Sequence, residues 1–142
     1  MKNKFLWMVI GSLITIFVLS SYTFLTSYGK NVDRMLPIMV KYKGETVYTD
    51  LSSDVCDCIT EAVKTELYFG ELPPQDKAIE INAPGRATIY VYPCDEDSIL
   101  IRYEPRQGIK RTYKKTGYAD FNRVVQAFYE LTDNDIFNEN AE

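Results

Sequence analysis

Hydrophobicity along this chain is first continuous, then spaced by three and four, then alternating, then spaced by three and four again. The continuous part, residues 5–25, carries no charge and follows Lys2 and Lys4. Its 21 residues reach roughly 31 Å as a helix, close to the hydrocarbon thickness of a bilayer. Ser, Thr and Tyr dilute the second half, so the most apolar stretch, residues 5–19, also has the length of a signal-peptide core. Residues 1–29 are therefore read as a signal anchor or a signal peptide, with Ser27-Tyr28-Gly29 as the small-residue cleavage candidate. In either case Lys2 and Lys4 stay on the cytoplasmic side and residues 30–142 form one extracytoplasmic domain.

Within that domain, Val32, Met35, Leu36 and Met39 recur at helical spacing, and Pro37 breaks the run, which predicts a short, bent helix over 31–40. Val47, Thr49 and Leu51 alternate with Thr46, Tyr48 and Asp50, a strand. Ser52, Ser53 or Asp54 can cap the next segment, 55–69, where Val55, Ile59, Ala62, Val63 and Leu67 form the stripe of a core-facing helix. Gly70 and Pro73-Pro74 end it. From Ala78 the period is two: AIEIN, ATIYVYP, SILIRYEP and IKRTYKK read as four strands, with turns at 84–85, 93–97 and 105–108. Connections this short make an antiparallel meander. A second helix follows over 120–132, with Asp120 as N-cap and Phe121, Val124, Val125, Phe128 and Leu131 as its apolar stripe. The last ten residues are expected to fray. The fold predicted is α+β: a curved antiparallel meander with two amphipathic helices on one face, preceded by an N-terminal transmembrane helix.

Composition mostly excludes. The chain has no histidine, which removes a Ser-His-Asp triad, a Cys-His dyad and an imidazole switch together. Fourteen of the 16 basic residues and all 20 acids lie at or after Lys30, a net of −6 for the domain, unlike a nucleic-acid binder. There is no P-loop, no G-x-G-x-x-G and no G-x-S-x-G. The acids are not spaced as a catalytic pair, so no catalytic residue, metal or cofactor is expected. Asp95, Glu96 and Asp97 read as a solvated hairpin tip, the alternative being a weak Ca²⁺ site. Cys56, Cys58 and Cys94 are odd in number and lack the spacing of a redox or zinc pair. In an exported chain Cys94 could pair with Cys56 or Cys58, and Cys58, nearer the apolar stripe, is the better partner; the alternative is a buried unpaired thiol.

The strands carry more. If Ile89, Val91, Ile99, Ile101 and Tyr103 face the helices, then Tyr90, Tyr92, Leu100, Arg102 and Glu104 face away, with Lys110 and Thr112 beside them. Tyr and Arg anchor protein interfaces because they join large contact area to directional hydrogen bonds; the alternative is an ordinary solvated sheet face. Six basic side chains against Glu104 between residues 102 and 115 would suit an acidic protein or anionic lipid.

The lysine-initiated anchor, short helix, VYTDL, helix ending ELYFG, meander and closing helix together resemble the TipC-type immunity proteins of Gram-positive bacteria. The resemblance implies a non-enzymatic, membrane-tethered protein that blocks a cognate toxin exported by type VII secretion, through the concave face of its sheet. It carries over to Tyr90, Tyr92, Arg102 and Glu104. The competing expectation is an exported sensor or accessory domain of an envelope complex.

Overall fold

A computed structural model describes residues 2–26, 37–50, 53–60, 62–117 and 120–138. A 25-residue helix, α1 (Lys2–Thr26), precedes β1 (Pro37–Tyr42) and β2 (Glu45–Asp50). Helix α2 (Ser53–Thr60) and β3 (Lys64–Leu67) follow. Then come β4 (Ile79–Ala83), β5 (Ala87–Pro93), β6 (Ser98–Pro105), β7 (Arg111–Thr116) and α3 (Phe121–Thr132). The seven strands form one antiparallel sheet in the order β2-β1-β4-β5-β6-β7-β3. The fold is thus α+β around an antiparallel meander, as the alternation predicts.

The meander strands lie where the period-two pattern puts them, because one face of each is buried. Ile79, Ile81, Ile89, Val91, Ile99 and Ile101 point to a single core beneath α2 and α3. On that side α3 contributes Val124, Val125 and Phe128, and α2 contributes Val55 and Ile59. Asp120 caps α3, accepting from the Asn122 N–H at 3.0 Å. The helix closes on Asp133 at φ 49°, whose N–H donates to the Tyr129 carbonyl at 2.7 Å.

Three expectations are corrected. Residues 37–42 form a strand, not the end of a bent helix: Ile38, Val40 and Tyr42 alternate into the core, and Pro37 sits at the first strand position, where its missing N–H costs nothing. Residues 31–36 of that segment lie outside the described residues, as do Leu51, Ser52 and the cleavage candidate Ser27-Tyr28-Gly29. The helix expected over 55–69 stops at Thr60, and its second half becomes β3, hydrogen-bonded along the outer edge of β7. Its helical spacing loses to an open strand edge that Thr65 and Leu67 can fill. The tail does not fray from residue 133: a 3₁₀ turn, Asp135–Phe137, buries Phe137 against Tyr42 and Phe128, ring centroids 5.5 and 5.3 Å away. Residues 139–142 lie outside the described residues.

The N-terminal apolar run is helical, as α1; among the described residues no helix is long and apolar enough to cross a membrane. Large apolar side chains on α1 are nonetheless exposed, among them Leu6, Trp7, Leu13, Ile14, Ile16 and Phe17.

The connections decide what covers the second face of the sheet. Helix α2 carries the chain from β2, on one edge, to β3 on the other. To reach β4, which lies between β1 and β5, residues 68–78 must recross the sheet. They do so on the face opposite the helices, where Tyr68, Leu72 and Ala78 pack on Tyr92 and Leu100.

Candidate functional site

Register places the predicted site residues in rows across the face turned away from the helices. Glu80, Tyr90, Arg102 and Thr112 are successive cross-strand partners; Thr88 stands opposite Glu104, and Tyr92 opposite Leu100, which faces Lys114. The alternation thus puts Tyr90, Tyr92, Leu100, Arg102, Glu104 and Thr112 on one face. Lys110 is not on a strand: it lies in the loop before β7, and its ammonium reaches back to Glu104 Oε2 at 3.0 Å. Arg102 Nε holds the other oxygen, Oε1, at 2.7 Å. One carboxylate therefore bridges two cations, so three charged side chains are held in place beside a tyrosine.

Two of these seven are not available to a partner. Tyr92 is 4% and Leu100 2% exposed, because the 68–78 crossing lies on them. They form a floor, and Tyr90, stacked on Tyr92 at 6.3 Å between centroids, forms its half-buried margin. Burial pushes the Tyr90 hydroxyl pKa up, and the Glu80 and Glu104 carboxylates push it further, so this phenol stays protonated and able to donate. Burial raises the Tyr92 phenol as well. Leu100→Ala is expected to lower stability by about 2 kcal/mol, read by urea unfolding of the full chain in detergent. An unchanged midpoint would make Leu100 a surface residue after all.

The acidic turn is tied down at both ends, and the Gly117 N–H donates to the Asp97 carbonyl at 2.8 Å. Lys114 Nζ meets Asp95 Oδ2 at 2.6 Å and Ser98 Oγ lies 3.3 Å from the same oxygen, holding the Asp95 carboxyl below its usual pKa. Among the described residues no group of three or more His, Cys, Asp or Glu is placed to hold a metal. The Cys58–Cys94 bridge is not formed. Cys58 is buried in the helix-side core near Arg123, where burial raises its pKa, whereas Cys94 is exposed beyond β5. The side chain of Cys56 lies outside the described residues.

Sequence reasoning missed three contributors. Glu80 faces Tyr90 from β4, on a face for which the alternation of AIEIN was the available signal. Phe69 is 91% exposed, on a segment read as helix; Ile109 is 75% exposed, in a loop read as strand. No family model, curated protein or solved structure matches the chain.

Proposed function

We propose that this chain is a non-enzymatic, membrane-tethered immunity protein that blocks a cognate exported toxin with the outer face of its sheet. The observation that carries the reading is the Arg102–Glu104–Lys110 chain of ion pairs beside Tyr90, on the sheet face that the helices leave uncovered. A prearranged Arg and Tyr beside a packed floor give a partner directional hydrogen bonds without first ordering flexible side chains. Both charge signs are present, so complementarity would govern on-rate and partner choice, and steric cover of the toxin's active site would supply inhibition. Tyr92 and Leu100 support this surface from below and are not contacts.

Membrane attachment through α1 belongs to the same reading. A helix that exposes Trp7, Met8, Leu13 and Ile16 on several sides at once has no polar face to give to water. Insertion would hold the domain where an exported toxin acts and raise its local concentration there.

The test uses the full chain in nanodiscs as bait for exported proteins of the source strain and its relatives. A captured toxin should bind Tyr90→Ala and Arg102→Ala more weakly by about 1–3 kcal/mol each, by titration, with the fold intact by circular dichroism. Parent affinity in both variants would sink the choice of surface.

A further inference from the structure

The sheet has two chemically different ends. Strand pairing fixes which turn lies at which end: Ala83 pairs with Ala87, Ala87 with Pro105, and Tyr103 with Arg111. The 84–86 turn and the 106–110 loop therefore share one end, tied by the Arg106 N–H donating to the Arg86 carbonyl at 2.9 Å. Arg86, Arg106 and Lys110 are exposed there. The acidic turn Asp95-Glu96-Asp97 lies at the other end, between β5 and β6, where the exposed Lys43 and Lys77 also stand, so that end is of mixed charge. Three acids stand near the basic end: Glu104 is held by Arg102 and Lys110, Asp50 ends β2 on the far edge, and Glu71 is exposed two residues beyond Phe69.

Two exposed apolar side chains join the basic ones. Ile109 projects from the 106–110 loop. Phe69 comes one residue after Tyr68, whose N–H donates to the Thr112 carbonyl beside the start of β7. The chain from α1 also enters at this end: β1 begins at Pro37 and runs so that Met39 pairs with Asn82, which places Pro37 level with the 84–86 turn. The ten residues between Thr26 and Pro37 span at most about 36 Å, so an inserted α1 keeps this end within reach of the bilayer.

We propose that the end of the sheet formed by the 84–86 turn, the 106–110 loop and Phe69 docks on anionic phospholipid. Arg86 and Arg106 meet the headgroups, Phe69 and Ile109 enter the interfacial layer, and the Asp95–Asp97 turn points away from the negatively charged surface. The inference rests on the membrane attachment proposed for α1, and adds an orientation to it. A domain so docked stands with its sheet strands rising from the bilayer and its Tyr90–Arg102 face turned sideways, open to a partner moving along the membrane. Cations near an anionic surface each strengthen docking by about five-fold, and salt screens them.

The test reconstitutes the full chain in vesicles of phosphatidylcholine, with or without phosphatidylglycerol, carrying brominated acyl chains that quench tryptophan. Trp7 is the chain's one tryptophan and reports insertion of α1 in the parent. In a Trp7→Phe background, Ile109→Trp reports docking. The expected result is Trp7 quenched in both lipids, and the Ile109→Trp signal quenched only with phosphatidylglycerol and released by high salt. Adding Arg86→Gln and Arg106→Gln should weaken docking by about 25-fold. Should the tryptophan disturb its loop, hydrogen exchange of residues 84–86 and 106–110 in the parent gives the same reading, with protection only on anionic vesicles. Quenched Trp7 with the Ile109→Trp signal unquenched, or equal in both lipids, overturns the docking proposal alone. Protection at this end by a captured exported protein and not by vesicles makes it a protein contact and overturns it too. Unquenched Trp7 overturns the α1 attachment and the docking with it.

Discussion

Phe137→Ala is expected to destabilise the domain by about 3–5 kcal/mol, the largest effect of any single truncation considered. The residue is 1% exposed and packs between Tyr42 at the end of β1 and Phe128 in α3. Its removal opens a cavity at the joint between helix layer and sheet, where Phe121 also meets Tyr42 edge-on at 6.2 Å. Backbone collapse there is restrained. The 3₁₀ turn that carries Phe137 is fixed by Asn134 Oδ1 accepting from the Ile136 N–H at 3.1 Å, and by the Phe137 N–H donating to the Asn134 carbonyl at 3.0 Å. Urea unfolding of parent and variant in the same detergent measures the difference. A shift of a few tenths of a kcal/mol would mean the tail is a loosely attached flap.

The second large effect is a rise of stability with pH. Lys115 lies on the helix-side face of β7, between Thr65 and Ile99, and is 2% exposed. Burial lowers its pKa from 10.5 to about 8. The unfolded chain holds this proton up to about pH 10.5, the folded chain only to about 8, so between these values the unfolded state binds more protons and stability rises with pH. Below pH 8 the fold carries the full cost of a buried ammonium, up to about 3 kcal/mol; above 10.5 it carries none. Lys115→Met isolates this contribution from other titrating groups. The variant should be more stable than the parent at pH 7, and the gap should close by pH 10.5. A gap independent of pH would mean that Lys115 is charged equally in both states.

How much of this was legible depended on whether burial alone or chain crossing set the outcome. The four meander strands and α3 were legible because each buries one face and repeats its period long enough to be unambiguous, and Asp120 marks the start of α3. The fate of residues 55–69 was not. Val55, Ile59, Ala62, Val63 and Leu67 satisfy a helix, and only the open edge of β7, distant in sequence, makes 64–67 a strand. The same long-range pairing sends residues 68–78 over the outer face, so Tyr92 and Leu100, which alternation places on that face, are covered and not accessible. Phe137 looked like part of an acidic tail because a single aromatic has no period. The charge relay of the site was half legible: the strand pattern set Arg102 beside Glu104, but nothing local places Lys110 on the same carboxylate from a loop.

The measurement that bears most directly on the function is growth protection. Bacteria exposed to the captured exported toxin should survive when they carry this chain and die when they carry the Tyr90→Ala/Arg102→Ala double variant at equal membrane abundance. Equal protection by parent and double variant would contradict a blocking surface on the outer face, and no protection by the parent would contradict an immunity function altogether.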